Sequence, residues 1–135
     1  MDNQINTLHR YFIWGNAMRT HFDELLDKHS KNKIDQRRFD IESMMYMSIW
    51  YGILYVVIEG WRSLRLTDNK IDLLLKSPNV KLLKNYRNGV FHFQKKYWDK
   101  RFEKFYREAS TVQWVRELNL EFGRYFLEHL GWFKK

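Results

Sequence analysis

With 135 residues, 44% hydrophobic and 18% aromatic, the chain has the length of one domain and enough apolar material for a sizeable core, which excludes a disordered chain. It has no cysteine, which excludes disulfides, thiolate zinc sites and thiol catalysis and fits a reducing cytoplasm. The formal net charge of +8 is uneven: residues 1–80 carry 11 basic and 10 acidic side chains, whereas 81–135 carry 13 and 6. The excess is densest across Lys81, Lys84, Arg87, Lys95, Lys96, Lys100, Arg101, Lys104 and Arg107, against only Asp99 and Glu103. Two readings fit: a surface for a polyanion, or a solvated helical face with no ligand.

One proline and six glycines leave few breaks, so long helices are expected in a single domain over residues 1–135. Met1-Asp2-Asn3-Gln4 lacks a basic segment followed by an apolar run, so no signal peptide is expected, and the protein is expected to be cytoplasmic. The first helix is expected from about Asn3 to His29, with Ile5, Leu8, Phe12, Met18, Phe22 and Leu25/Leu26 on one stripe and Gly15 filling its gap. His29-Ser30-Lys31-Asn32-Lys33 reads as the connection, after which Asp35 or Asp40 helps to cap the second helix, Gln36 to Arg65. That helix is apolar nearly all round from Met44 to Ile58. These 15 residues fall short of the roughly 20 that span a bilayer, so no membrane is expected, and the helix reads as the buried centre of the fold or partly a subunit interface.

Leu66-Thr67-Asp68-Asn69 is turn chemistry, Ile71 to Leu75 a short helical turn, and Ser77-Pro78-Asn79 a helix start with Ser77 as its cap. The helix from Asn79 runs through Leu82, Leu83 and Tyr86 and meets Gly89, a candidate end or bend. A basic-aromatic helix from Trp98 to about Glu108 follows. The last, from Thr111 to Leu130, has Val112, Val115, Leu118, Phe122, Tyr125/Phe126 and Leu130 on its apolar stripe. The fold class is therefore all-α, a bundle of about five to six helices.

The chemistry concentrates in Tyr86-Arg87-Asn88-Gly89-Val90-Phe91-His92. An arginine can hold a phosphate and a histidine can move a proton near neutral pH, the minimum for phosphodiester chemistry without a metal. Arg124 and His129 have the same spacing inside an ordinary amphipathic helix; Asn88, Gly89 and the basic surroundings single out the first pair. On an unbroken helix Arg87 and His92 would stand roughly 140° apart, while Asn88 and His92 would share a face. Either the helix ends near Gly89 and the chain turns His92 back, or the site is assembled across the two-fold axis of a homodimer. The histidines show no metal-ligand spacing and no glycine-rich phosphate loop is present, so no metal or other cofactor is expected.

A long helical hairpin followed by Arg87-Asn88 and His92 resembles the HEPN superfamily (higher eukaryotes and prokaryotes nucleotide-binding domain), whose signature is Arg, four to six residues, His, often with a polar residue after the arginine. The resemblance covers the whole length in architecture and six residues in motif. Many members are metal-independent ribonucleases of defence and toxin systems that act as dimers, and others are non-catalytic binding or scaffold modules. For this chain the resemblance implies a homodimer acting on RNA and, were it a toxin, a partner antitoxin. His92 would act as acid or base at the ribose 2′-hydroxyl, Arg87 would stabilise the phosphorane and Asn88 would orient His92 or the phosphate. One toxin subgroup has a modifiable tyrosine two residues after the histidine. Gln94 stands there in this chain, so the resemblance does not extend to that regulation.

Structural readings stand beside these. His92, between Phe91 and Phe93, reads equally as a half-buried, hydrogen-bonded histidine. Arg87 can pair with Glu59, the lone acid ending the apolar helix, which in a family-like site would position the arginine. Trp98, Phe102, Phe105 and Tyr106 either stack bases above a phosphate-binding face of Lys84, Lys95, Lys96, Lys100, Arg101 and Lys104 or belong to the core. The functional classes left open are an RNA-cleaving enzyme, a silent nucleotide- or nucleic-acid-binding module, and an interaction subunit that docks a partner through its aromatic surface.

Overall fold

Apolar residues recurring at three- and four-residue steps make long helices, and two of 28 residues form the frame. The computed structural model describes residues 3–97, 100–107 and 109–130, except the side chains of Lys104, Tyr106, Arg107 and Ala109. In chain order the helices are α1 (Asn3–Ser30), α2 (Gln36–Ser63), α3 (Asn69–Leu74), α4 (Asn79–Phe91), α5 (Lys100–Arg107) and α6 (Ala109–His129). Among the described residues there is no strand, and the protein is an all-α helical bundle.

Local chemistry sets the helix limits. Asn32 takes a left-handed φ of 53°, and Lys33 N–H donates back to the Lys28 carbonyl at 2.8 Å, closing α1. Asp35, rather than Asp40, caps α2 by accepting from the backbone N–H groups of Arg37 and Arg38. Arg65, at φ 55°, ends α2 in the same manner as Asn32 ends α1, with Leu66 N–H bonded to the Trp61 carbonyl. Asp68 caps α3. The Ser77 hydroxyl accepts from Asn79 N–H at 3.1 Å across Pro78, whose φ of −61° already suits a helix.

One core draws on all six helices. α2 packs on α1 and α4, and α6 touches α1, α3 and α5. Of the apolar run Met44 to Ile58, expected to be the buried centre or partly a subunit interface, the second part is the buried centre: full burial begins at Trp50 and includes Tyr51, Leu54, Tyr55, Val57 and Ile58, and continues to Trp61, whereas Met45 within the run and Ile41 before it are exposed. The apolar run is also part of a helix that is, by length and composition alone, long enough to cross a membrane, a test that core helices of soluble proteins pass as well. On α6, Val112 is exposed while the rest of the expected stripe, Val115 to Leu130, is buried. Phe105 is core and Phe102 packs against it, which assigns these two aromatics to packing; Trp98 and the Tyr106 side chain lie outside the described residues.

A polar ring ties α1, α2 and α6 together. Trp50 Nε1 donates to Asn119 Oδ1, and Asn119 Nδ2 donates to Asn16 Oδ1, which also accepts from Arg19 Nε. Arg19 and Arg116 share the Asp23 carboxylate at 2.8 and 2.7 Å, and the Arg116 guanidinium lies over the Trp50 ring. Burial pushes the Asp23 carboxyl up, but hydrogen bonds and charge from Arg116, then Arg19, outweigh it and hold Asp23 below the usual carboxylate range. At Asp68 burial is likewise outweighed, by the Ile71 N–H and by Arg124. Buried His9, its ring 5.0 Å from that of Phe126, is held below its ordinary 6.5 by desolvation.

These shifts share a sign. A histidine with a lowered folded-state value contributes stability that is complete above about pH 6.5 and is lost as the pH falls. The two aspartates contribute stability that is complete above about pH 4 and is lost below it. The urea midpoint is therefore expected to fall in two stages on acidification, and His9→Leu should abolish the upper stage while sparing the lower. A pH series of urea melts on both proteins checks this; an unchanged upper stage in His9→Leu would contradict it.

Candidate functional site

The site is set by how α4 lies on α2. Tyr86 faces inward, fully buried, with its hydroxyl 2.9 Å from Ser48 Oγ and its ring against those of Tyr51, Phe102 and Phe105. One residue on, the helical turn of about 100° carries Arg87 to the edge of this packing. Its Nη1 donates to Glu59 Oε1 at 2.7 Å, its Nε donates to Asn88 Oδ1 at 2.9 Å, and its guanidinium carbon sits 4.9 Å from the centre of the Tyr55 ring. Tyr55 and Glu59 are four apart on α2, so a single helix face offers a ring and a carboxylate to the same cation. The Arg87 side chain is 19% exposed and that of Glu59 50%.

Gly89 does not end α4. The helix runs on to Phe91, and Gly89 is buried because Phe102 of α5 lies against it: a Cβ there would come within 2.9 Å of the Phe102 ring. Gly52 of α2 does the same for Phe91, whose ring would meet an added Cβ at 2.5 Å. The two glycines thus bring α4 close to both neighbours.

His92 is the first residue beyond α4, with extended backbone at φ −116° and ψ 130°. Its N–H donates to the Asn88 carbonyl at 3.1 Å, so the four-residue relation between Asn88 and His92 is a main-chain bond, while the Asn88 side chain turns to Arg87. The imidazole is exposed, which overturns the half-buried reading: Phe91 folds over Gly52 and Phe93 points into solvent, so neither covers it. Among the described residues no hydrogen bond or ion pair joins the imidazole to Arg87, Asn88 or Glu59. Arg87, Asn88 and Glu59 are assembled, and His92 follows them on the chain without being joined to them.

The second arginine-histidine pair has a structural fate. Arg124 is shared among Asp68 at 2.8 Å, Glu128 at 3.0 Å and Glu121, and His129 Nδ1 donates to the Tyr125 carbonyl while its ring stacks on that of Tyr125. Of the basic residues named from sequence, Lys84, Lys95, Lys96, Lys100 and Arg101 are exposed, and the Lys104 side chain lies outside the described residues. The concavity of about 820 Å³ between the start of α4 and α6 is lined by Ser77, Asn79, Lys81, Asn85 and Trp114 among others, and not by Arg87 or His92. Among the described residues no group of three or more His, Asp or Glu side chains could hold a metal ion. Two participants were missed in the sequence. Tyr55 carries a signal, its four-residue spacing from Glu59; the exposure of Phe93 carries none, because an aromatic beside a histidine reads first as cover.

The arrangement defines a helical bundle with an anchored arginine at the end of one helix and an exposed histidine at its exit. No family model, curated protein or solved structure matches the chain.

Two substitutions separate anchoring from packing. Glu59→Gln removes one half-exposed charge and should lower stability by at most about 1 kcal/mol. Gly89→Val forces a branched side chain into Phe102 and should cost about 1–3 kcal/mol. Urea melts of both variants check the ranking, and the reverse order would show that Arg87, not the α4–α5 contact, holds this end of α4 in place.

Proposed function

We propose that the protein is a HEPN-like, metal-independent RNA-cleaving protein of the cytoplasm that works as a homodimer, in keeping with defence or toxin systems that include a partner antitoxin. The observations that carry the reading are a guanidinium fixed by Glu59, Asn88 and Tyr55 and, at the exit of the same helix, an exposed imidazole. A fixed guanidinium is ready for charge that develops on a phosphorane, and an exposed imidazole can reach a substrate hydroxyl. The surroundings suit a polyanion: between Asp72 and Asp99 the sequence has no acidic residue, and Lys76, Lys81, Lys84, Arg87, Lys95 and Lys96 lie in that stretch.

In this reaction the 2′-oxygen attacks the adjacent phosphorus, its proton passing to His92, as the bond to the 5′-oxygen breaks and that oxygen takes up a proton. The products are a 2′,3′-cyclic phosphate and a 5′-hydroxyl. A second copy related by a two-fold axis would bring a second histidine for the leaving oxygen. Glu59, already bonded to the arginine, keeps its orientation.

The same ion pair favours one second reading, a non-catalytic RNA- or nucleotide-binding module, because Glu59 occupies one edge of the guanidinium that a phosphate would otherwise take. The readings part in an EDTA-resistant assay on mixed RNA. Cleavage with cyclic-phosphate ends is expected for the native protein, and His92→Ala and Arg87→Ala should each lower the rate by about 10²–10⁴-fold with the fold intact by circular dichroism. Binding without cleavage would establish the module; a rate unchanged in His92→Ala would remove His92 from the chemistry. Reversing Lys95, Lys96 and Lys100 to Glu should weaken RNA binding and flatten its salt dependence, measured by titration at several salt concentrations. Indifference to that reversal would move the RNA surface elsewhere.

A further inference from the structure

Phe93 is 94% exposed, and it makes no ring contact among the described residues. Burying an aromatic side chain stabilises a fold, and at this position the fold gains nothing from it. The segment follows α4 directly, and the Gln94 side chain donates to the His92 carbonyl at 2.8 Å, a bond that spans Phe93. Phe91, two residues earlier, keeps part of its ring against Gly52 and is 51% exposed, so Phe93 is the more fully exposed of the two rings that flank His92. Lys95 and Lys96, both exposed, follow directly.

Resting on the RNA reading above, we infer that Phe93 is a base-stacking platform: the nucleotide beside the phosphate held near Arg87 and His92 lays its base on the Phe93 ring while Lys95 and Lys96 hold the flanking phosphates. A phenyl ring has no hydrogen-bonding group, so it accepts any base, but it accepts only a base free of its partner strand. Phe93 thereby selects unpaired nucleotides without selecting sequence. Of the aromatics that the sequence offers for stacking, Phe102 and Phe105 are committed to packing, and Trp98 and the Tyr106 side chain lie outside the described residues.

The test uses the full chain in EDTA with a 2′-O-methyl oligonucleotide, which cannot be cleaved at its modified sugars, carrying a fluorescent 2-aminopurine, alongside the same strand in a duplex. The native protein should bind the single strand and quench the probe. Phe93→Leu, which keeps an apolar side chain but loses the ring, should weaken single-strand binding about tenfold while duplex binding stays within about twofold. Phe93→Trp should restore both affinity and quenching. Equal affinity of Phe93→Leu and the native protein for the single strand would overturn the stacking role and leave the RNA reading standing. Absence of any RNA binding by the native protein would overturn both. A fall in sedimentation coefficient in Phe93→Leu would instead assign the ring to a contact between two copies, which also overturns the proposal.

Discussion

Everything at the candidate site depends on one stripe of α2. Ser48, Tyr51, Gly52, Tyr55 and Glu59 recur at three- and four-residue steps, and each meets α4: Ser48 and Tyr51 hold Tyr86, Gly52 receives Phe91, and Tyr55 and Glu59 take Arg87. Polarity changes along the stripe from hydroxyl and ring to carboxylate. A helix seated on it can bury Tyr86 and still leave Arg87 at the rim with a ring beneath it and a charge beside it. The position of the arginine is therefore a consequence of core packing, and the core itself fixes the rotation of α4 about its axis.

Charge then separates two pairs that share a spacing. Arg124 lies among Asp68, Glu121 and Glu128, three carboxylates that satisfy its fork and neutralise it, and His129 is spent on the Tyr125 carbonyl and ring. Arg87 has one carboxylate, and that one is half exposed. The stretch around it has no further acid, so the field there stays positive where the field around Arg124 does not. Spacing alone could not tell the pairs apart; the acids within four residues of Arg124 could, since Glu121 and Glu128 stand at i−3 and i+4 on the same helix.

The helices were legible because their apolar periodicity is long and their limits carry ordinary capping residues, so α1, α2 and α4 begin within a residue of where Asn3, Gln36 and Asn79 suggest. Gly89 misled for a physical reason: glycine ends helices by adopting positive φ, but it also sits mid-helix where another ring must come close, and only the partner, Phe102, distinguishes the two. In α2 apolar composition says how much surface wants cover and not how much one copy supplies; full burial begins at Trp50, which α6 reaches through Asn119. His92 misled because flanking phenylalanines suggest burial only while the chain stays in one helix. Where the helix stops at Phe91, consecutive residues leave in unrelated directions.

The contrast between Arg87 and His92 bears on how such a site would work. Three contacts immobilise the guanidinium, so little side-chain entropy is left to lose when an anion arrives, and its field is already oriented. The imidazole has no such support among the described residues, and catalysis by an unsupported base is slow unless something holds its ring and tautomer. Asn88 does not do so here: its side-chain oxygen accepts from Arg87 and its carbonyl from the His92 backbone N–H. In the proposed reaction that constraint would be supplied by the substrate or by a second subunit. A site that is rigid at its anion-binding half and completed at its proton-transfer half only on assembly would keep a single chain inactive until both arrive.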